Sequence, residues 1–392
     1  MTYLVEPDPQ ATGPLVHALV IGVAGYRHLP GGSEPVSHDT IVRHQLRSPA
    51  SSALAFAEWV RTEMHHPDAT LGSIDVLVSP RPGVRDPRCA GLELPSVDAT
   101  VKAIWRWADL CRQNPANVAM FFFSGHGLAL RSQLLLMEDF GRNPMLSCDA
   151  AIEVEELVAG MCRFVAETQY FFIDACREIP HQLTEYDSRT APVFDGRIVE
   201  EQRKEWGVVS STRMGRPAYG RRRGVSLFTE HLLASLRGRA ARRKDSRWSV
   251  SLLALHESVS TLTERHSPAG REPQFAESRF SGDRLLHLLP GPPQVDARIC
   301  CRPEKATGAA RVRIVPTEPA PTEPALTEPA PDGPPAVPVL REGWWSTPLT
   351  AGVHEVSLDF EAGEYLMGPP PKRYLPFEPF DCDHTIDVRE TG

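Results

Sequence analysis

One histidine and one cysteine, His126 and Cys176, stand 50 residues apart in this chain, and their chemistry depends on whether they meet. A thiol with a pKa of about 8.5 is barely ionised at neutral pH, and an imidazole beside it raises the reactive fraction or relays its proton. Each residue follows an apolar run: Ser124-Gly125-His126-Gly127 comes after AMFFF, and Asp174-Ala175-Cys176-Arg177 after YFFI. The two glycines let the backbone turn tightly beside the imidazole, and the Gly127 and Cys176 amides are candidate donors to the oxyanion of a tetrahedral intermediate. A lone cysteine at a strand end is usually a packing residue. Joined to a glycine-flanked histidine at a distance neighbouring strands can bridge, it reads as the nucleophile of a dyad.

The elements that must position the pair follow from periodicity. Residues 15–24, 74–79, 117–125, 168–176 and 205–213 are short β-branched and aromatic runs, the pattern of strands buried on both faces of a parallel sheet. Between and after them, residues 51–65, 97–113, 150–167, 225–240 and 248–266 carry apolar residues at helical spacing. Strand alternating with helix predicts an α/β fold, a parallel-dominated sheet flanked by helices. In such sheets the reactive groups gather beyond the carboxyl ends of strands, where His126 and Cys176 lie. Adjacent strands are about 4.8 Å apart, close enough for the two ends to share a site.

Gly, Pro and Asp thicken around residues 288–296 and mark a boundary, giving a first domain over 1–290 and a second over 291–392. The second contains strand-like pieces at 297–303, 310–316, 352–360, 363–368 and 384–390, read as a small β-sandwich-like unit. A Pro/Glu/Thr repeat within 317–336 reads as an extended, solvated spacer inserted in one of its loops.

Composition narrows the functional classes. A formal net charge of -8 lacks the basic field that phosphate backbones require, so nucleic acid is not expected as a partner. The eight cysteines include no C-x-x-C pair and no Cys/His grouping at zinc spacing, so neither a metal nor another cofactor is expected. No run of about 18 apolar residues and no basic-then-apolar N-terminal stretch occurs, which predicts a soluble cytoplasmic protein without membrane attachment. Oligomeric state is not legible.

The motifs SGHG and DACR, with the first strand and loop HALVIGVAGYRHLP and the late stretch GVSLFTEHLLASLRGRA, resemble the caspase-like cysteine peptidase family over roughly residues 12–290. The known caspase pattern is Q-A-C-[RQG]-G with the histidine about 50 residues upstream. Here Asp174 stands where caspases carry the glutamine, as in metacaspases and paracaspases. The resemblance implies that Asp174 lines the S1 pocket and selects Arg, and less often Lys, at P1, because a carboxylate attracts a cation and repels an Asp. Glu34, Asp39 and Asp139 are possible second acids. The loop over 177–204 occupies the position where such chains are cut during maturation. Arg189, Arg197 and Arg203 are therefore candidate cleavage sites for the protein itself or for an upstream protease, with Arg223 in a second candidate stretch.

The expected activity is that of a cysteine endopeptidase acting on protein substrates, activated as a zymogen by cleavage within 177–224. The resemblance places it among bacterial regulated proteolysis, antiviral defence or cell-death pathways. The rival reading is a catalytically silent scaffold on the same fold that binds a partner.

Overall fold

The computed structural model describes residues 3–35, 44–143, 146, 148–164, 166–177, 190–194, 205–216, 218–220, 224–244, 246–316, 338–360, 363–368 and 370–391. Its main sheet contains β1 (Tyr3–Val5), β2 (Leu15–Val23), β3 (Thr70–Ser79), β4 (Val118–Gly125), β5 (Thr168–Ala175), β6 (Glu205–Ser210) and β7 (Glu277–Ser281) in the order β1-β3-β2-β4-β5-β6-β7. The five central strands are mutually parallel and come from the five apolar runs. The short outer strands β1 and β7 pair antiparallel. Every residue of β4 is buried, as a strand covered on both faces requires.

Consecutive aromatic residues hold the layers together by facing opposite ways. Helix α1 spans Pro49–Thr62 and α2 spans Val97–Cys111. Phe122 and Phe172, paired in register, meet Phe56 of α1 with ring centroids 4.5 and 5.4 Å away. Phe121 and Phe171, also paired, meet Trp107 of α2 at 5.9 and 6.3 Å. Truncating one of these rings to Ala would cost about 3–5 kcal/mol, since the cavity would lie between two packed layers. Helix α2 begins where Ser96 accepts the Ala99 amide and Asp139 accepts the Val97 amide, which satisfies two donors at its first turn.

Among the described residues three further α-helices follow: α3 (Val154–Phe164), α4 (Leu227–Ala234) and α5 (Leu252–Arg265). Their starts correct the sequence expectations. Residues 151–153 form a strand before α3, in a small antiparallel sheet with Gly127–Ala129 and Gln133–Leu136. Helix α4 stops well short of residue 240. It gives way to a wider turn over Ser235–Arg239 that contains Gly238 at φ +136°, a conformation only glycine adopts freely. Residues 247–251 are a strand, and α5 starts only where the Ser251 hydroxyl accepts the Ala254 amide.

The chain divides into two compact units, Met1–Ser235 with Ser251–Leu288, and Leu236–Val250 with Leu289–Gly392. The second unit carries a five-stranded sheet built on Gln294–Arg302 and a three-stranded sheet of Ala310–Pro316, Gly352–Phe360 and Arg373–Phe377. Along Gln294–Arg302 the buried residues alternate as Val295, Ala297, Ile299 and Cys301, the period-two pattern of a strand with one face inward. Strands at Trp344–Thr350 and Arg373–Phe377, which sequence patterning missed, pair with those it found. The spacer at 317–336 lies outside the described residues. Among the described residues no helix is long and apolar enough to cross a membrane.

Candidate active site

β4 and β5 are direct neighbours, with Ser124 opposite Asp174 and Gly125 opposite Ala175. His126 and Cys176 are the next residue on each strand, so one step past the paired ends brings them to one side of the sheet edge. The glycine after the histidine reports how close the two chains come. A Cβ on Gly127 would lie 2.5 Å from the Cys176 carbonyl oxygen and 3.0 Å from the Ala175 Cβ, a space no other residue fits. The Gly127 and Cys176 backbones therefore pack directly against each other.

Three groups fix the histidine. Its backbone N–H donates to the Tyr26 hydroxyl at 2.7 Å, and the Tyr26 ring lies 5.0 Å from the imidazole. Its Nε2 sits 2.8 Å from the His44 carbonyl oxygen. A carbonyl only accepts, so Nε2 must carry the proton, and Nδ1 keeps the lone pair that can take a proton from a thiol. His126 is only 7% exposed. Burial drives its pKa down to about 4, with the His44 ring lowering it further and the His44 carbonyl opposing, so the imidazole is neutral near pH 7.

The positions of Tyr26 and of the His44 carbonyl both trace to one side chain. Gln45 accepts the Tyr26 N–H at 2.7 Å through Oε1, while its Nε2 donates to the Tyr26 carbonyl at 2.8 Å and reaches the Leu29 and Pro30 carbonyls at 3.3 Å. The next residue, Leu46, donates its N–H to the Ala24 carbonyl. The segment 44–46 is thereby fastened to the loop after β2, with the His44 carbonyl facing the imidazole. Tyr26 is fully buried, and its phenol pKa is raised, first by that burial and then by the charge of Cys176. Sequence reasoning missed Tyr26, Gln45 and His44. The hydrogen bonds that Tyr26 and His44 make to His126 each involve a backbone atom, Gln45 acts through Tyr26, and the one signal available was the polar Tyr-Arg pair shortly after a buried strand.

Cys176 is partly exposed, and the Ala218 amide points at its sulfur from 3.2 Å. The chain after Cys176 stays paired for one more step, since Gly215 donates to the Arg177 carbonyl and Arg177 to the Arg216 carbonyl. Gln274 secures the segment near the thiol by accepting the Tyr219 N–H and donating to the Ser211 carbonyl, both at 2.8 Å. Arg177 itself is buried and ion-pairs with Glu277.

Asp174, paired with Ser124, lies two positions behind Cys176 on its strand and is 6% exposed. Ser124, Ser226 and Thr229 all donate to its Oδ2; Ser226 is the N-cap of α4, and Thr229 stands in its first turn. Burial raises the Asp174 pKa, and the three hydroxyls oppose that shift. Among the described residues these bonds leave Oδ1 as the oxygen without an assigned donor. Of the other acids, Asp139 is committed to the α2 terminus and to an ion pair with Arg142, and Glu34 is exposed. Asp39 and the candidate cleavage residues Arg189, Arg197, Arg203 and Arg223 lie outside the described residues. No group of three or more His, Cys, Asp or Glu side chains that could hold a metal ion occurs among the described residues.

The model of the caspase domain, peptidase family C14, matches residues 17–283 of this sequence, which include both strand ends and the α4 cap. The chain belongs to the caspase family of cysteine peptidases. An uncharacterized protein of Sinorhizobium fredii, y4kE, is 28% identical over 238 residues, covering 58% of this chain and 69% of that protein. Among solved structures, protein GSU0716 of Geobacter sulfurreducens aligns with a TM-score of 0.43 at 12% identity, over 71% of this chain and 98% of that one. Caspase-1 of Spodoptera frugiperda aligns with a TM-score of 0.42 at 14% identity, over 73% and 98% of the two chains. Within this caspase domain the sheet is mixed and helix-flanked, while the C-terminal strands form separate sheets.

Proposed function

We propose that this caspase domain is an active cysteine endopeptidase that cleaves protein substrates after basic residues, Arg preferred. The observation that carries the reading is the contact of Gly127 with the Cys176 carbonyl, beside an imidazole whose Nε2 is tied to the His44 carbonyl. In the proposed reaction the Cys176 Sγ attacks the scissile carbonyl carbon while His126 Nδ1 takes the thiol proton. The carbonyl electron pair moves onto oxygen, and the Gly127 and Cys176 amides stabilise it. Collapse expels the amine, which receives the proton from His126, and leaves a thioester. Water, deprotonated by the same imidazole, then releases the acid and restores the thiol.

Asp174 supplies the specificity in this reading. With Oδ2 held by three hydroxyls, Oδ1 is free to meet a guanidinium, and a carboxylate at that point rejects an acidic P1 side chain. The proposal extends to a cytoplasmic enzyme of a bacterial regulated-proteolysis or defence pathway, without a cofactor, made as a zymogen and activated by cutting at Arg189, Arg197, Arg203 or Arg223.

The test is a panel of fluorogenic peptides with Arg, Lys, Asp or Leu at P1, run on the wild type and on Cys176→Ala, with self-cleavage followed by mass. Turnover with Arg at P1 that vanishes in the variant is the expected result. Turnover with Asp at P1 would keep the dyad and overturn the role of Asp174. No turnover from a chain cut within 177–224 would favour a partner-binding scaffold.

A further inference from the structure

A closed ring of hydrogen bonds joins the Cys176 sulfur to the strand end that carries it. The Ala218 amide donates to Sγ at 3.2 Å, and the Ala218 carbonyl, 3.8 Å away, is the more distant acceptor for the thiol proton. The next amide, that of Tyr219, donates to Gln274 Oε1 at 2.8 Å. Gln274 Nε2 donates to the Ser211 carbonyl, also at 2.8 Å. Ser211 then returns to β5 twice, through its N–H to the Ile173 carbonyl at 2.8 Å and through its hydroxyl to the Ala175 carbonyl at 3.0 Å. Ala175 directly precedes Cys176, so the ring closes on the residue that bears the thiol.

Gln274 is the member of this ring that comes from outside the segments it joins. It lies between α5 and β7 and is 1% exposed. Its own N–H donates to the Ser267 hydroxyl, which donates in turn to the Thr263 carbonyl of α5, so its backbone is anchored to the end of that helix. The orientation of its side chain follows from its partners, because the Ser211 carbonyl only accepts and the Tyr219 N–H only donates. The Tyr219 and Ala218 amides belong to consecutive planar peptides, so clamping the first leaves the second only the two dihedrals of Ala218 to turn about. The same segment is also held by the Tyr219 hydroxyl, which donates to the Glu272 carbonyl at 2.8 Å, and by the ion pair of Arg216 with Glu272.

An N–H donor bonds more strongly to a thiolate than to a thiol and so favours the anion it faces. His126, neutral near pH 7, offers no positive charge to that anion in the resting site. We propose that Gln274 is a positioning residue for Cys176: by clamping Tyr219 to Ser211 it aims the Ala218 amide at the sulfur and makes the thiol a better nucleophile. The inference rests on the reading of Cys176 as the nucleophile, but its test does not depend on peptide hydrolysis.

The test is the pH profile of iodoacetamide alkylation in the full chain, followed by the mass of the peptide that contains Cys176. Gln274→Met keeps the side chain's length and removes both hydrogen bonds. Its alkylation midpoint is expected about 1–2 pH units above that of the wild type, the worth of one hydrogen bond to a charged group. Ala218→Pro removes the donor itself and should raise the midpoint by a similar amount. The double variant should move no further than Ala218→Pro alone, since Gln274 acts through that amide. The charged and titratable groups around the thiol, His126, Tyr26, Asp174 and the ion pairs Arg177–Glu277 and Arg216–Glu272, are unchanged in every variant. A purely structural role would lower the melting temperature and leave the midpoint in place, and that result, or shifts that add in the double variant, would overturn the inference. Hydrogen exchange of the wild type gives a reading that needs no variant to fold: the Tyr219 amide should exchange slowly, and fast exchange would equally overturn it. Peptide hydrolysis reports separately on the proposed function, because a chain without turnover whose midpoint still shifts in Gln274→Met keeps the clamp and loses the peptidase.

Discussion

The segment that presents the His44 carbonyl to the His126 imidazole is held by one side chain, Gln45, which makes Gln45→Ala an informative perturbation of the proposed mechanism. The substitution deletes two short hydrogen bonds, at 2.7 and 2.8 Å, and two longer ones, and it leaves the buried Tyr26 N–H without its Gln45 acceptor, while the Tyr26 carbonyl keeps the Leu29 N–H. The consequence for catalysis runs through charge. In the proposed reaction His126 becomes an imidazolium as it takes the thiol proton, and a carbonyl on Nε2 then makes a hydrogen bond to a charged group, worth about 1.5–3 kcal/mol. Full withdrawal of that carbonyl translates into a loss of roughly 10–150-fold, since about 1.4 kcal/mol is one decade. Gln45 has no contact with the dyad side chains, so the loss should fall on kcat with KM little changed. The assay is steady-state hydrolysis of an Arg-P1 peptide, with iodoacetamide alkylation of Cys176 as a substrate-free companion that should slow in the same variant. Retention of kcat within twofold of the wild type, with an unchanged thermal transition, would refute the reasoning, because it would mean that the carbonyl is held by other contacts or that the imidazolium does not need it.

Other consequences follow from the same geometry. Gly127→Ala should abolish turnover and lower the melting temperature, because its methyl group would sit 2.5 Å from the Cys176 oxygen; wild-type activity in this variant would contradict the backbone contact. Tyr26→Phe removes the acceptor of the buried His126 N–H and should destabilise the first unit by about 1–3 kcal/mol in urea unfolding, with a null effect counting against that bond. Asp174→Asn should cut kcat/KM for Arg substrates at least tenfold while sparing what turnover exists with an uncharged P1, and equal losses on both would assign Asp174 to structure alone. His17, His126 and His287 each have their pKa lowered to about 4 by burial, so the unfolded chain binds more protons between pH 6.5 and 4 and stability falls as pH drops through that window. His17→Gln should flatten the stability slope near pH 5 by about 1.4 kcal/mol per pH unit, and an unchanged slope would show that His17 titrates normally.

How much of this was legible beforehand depends on the range of the interactions involved. The five central strands are continuous apolar runs buried on both faces, a signal that survives without tertiary information, and the strand-end positions of His126 and Cys176 follow directly from them. The strand Ala151–Glu153 is only three residues long and runs straight into α3, so its residues carry too little period to separate from the helix. Residues 247–251 were absorbed into a helix for a similar reason, because Trp248 and Val250 also fit helical spacing and the capping role of Ser251 becomes visible only with the turn formed. The site's supporting residues were hidden for a different reason. Gln45 acts on the backbone of Tyr26, Gln274 on that of Tyr219 and Ser211, and Tyr26 on that of His126, and a side chain that bonds to backbone atoms leaves no mark on the sequence of its partner.

In the proposed reading Asp174 is a specificity group tied to the framework. A carboxylate that is nine-tenths buried is disfavoured as an anion, which is the sense in which its pKa is raised. The groups that reach it are three hydroxyls, polar but uncharged, and two of them, Ser226 and Thr229, come from the N-cap and first turn of α4, where the helix dipole favours negative charge. This environment keeps the carboxylate oriented while leaving its charge incompletely compensated. A guanidinium arriving at Oδ1 would complete the compensation, and the energy it gains is larger for the protein having left that charge unmatched, whereas a neutral side chain would gain nothing and an acidic one would add to the deficit. On the proposed reading, selectivity for a basic P1 residue would come from the incomplete solvation of one acid by Ser124, Ser226 and Thr229, and it would depend on those hydroxyls as much as on the carboxylate itself.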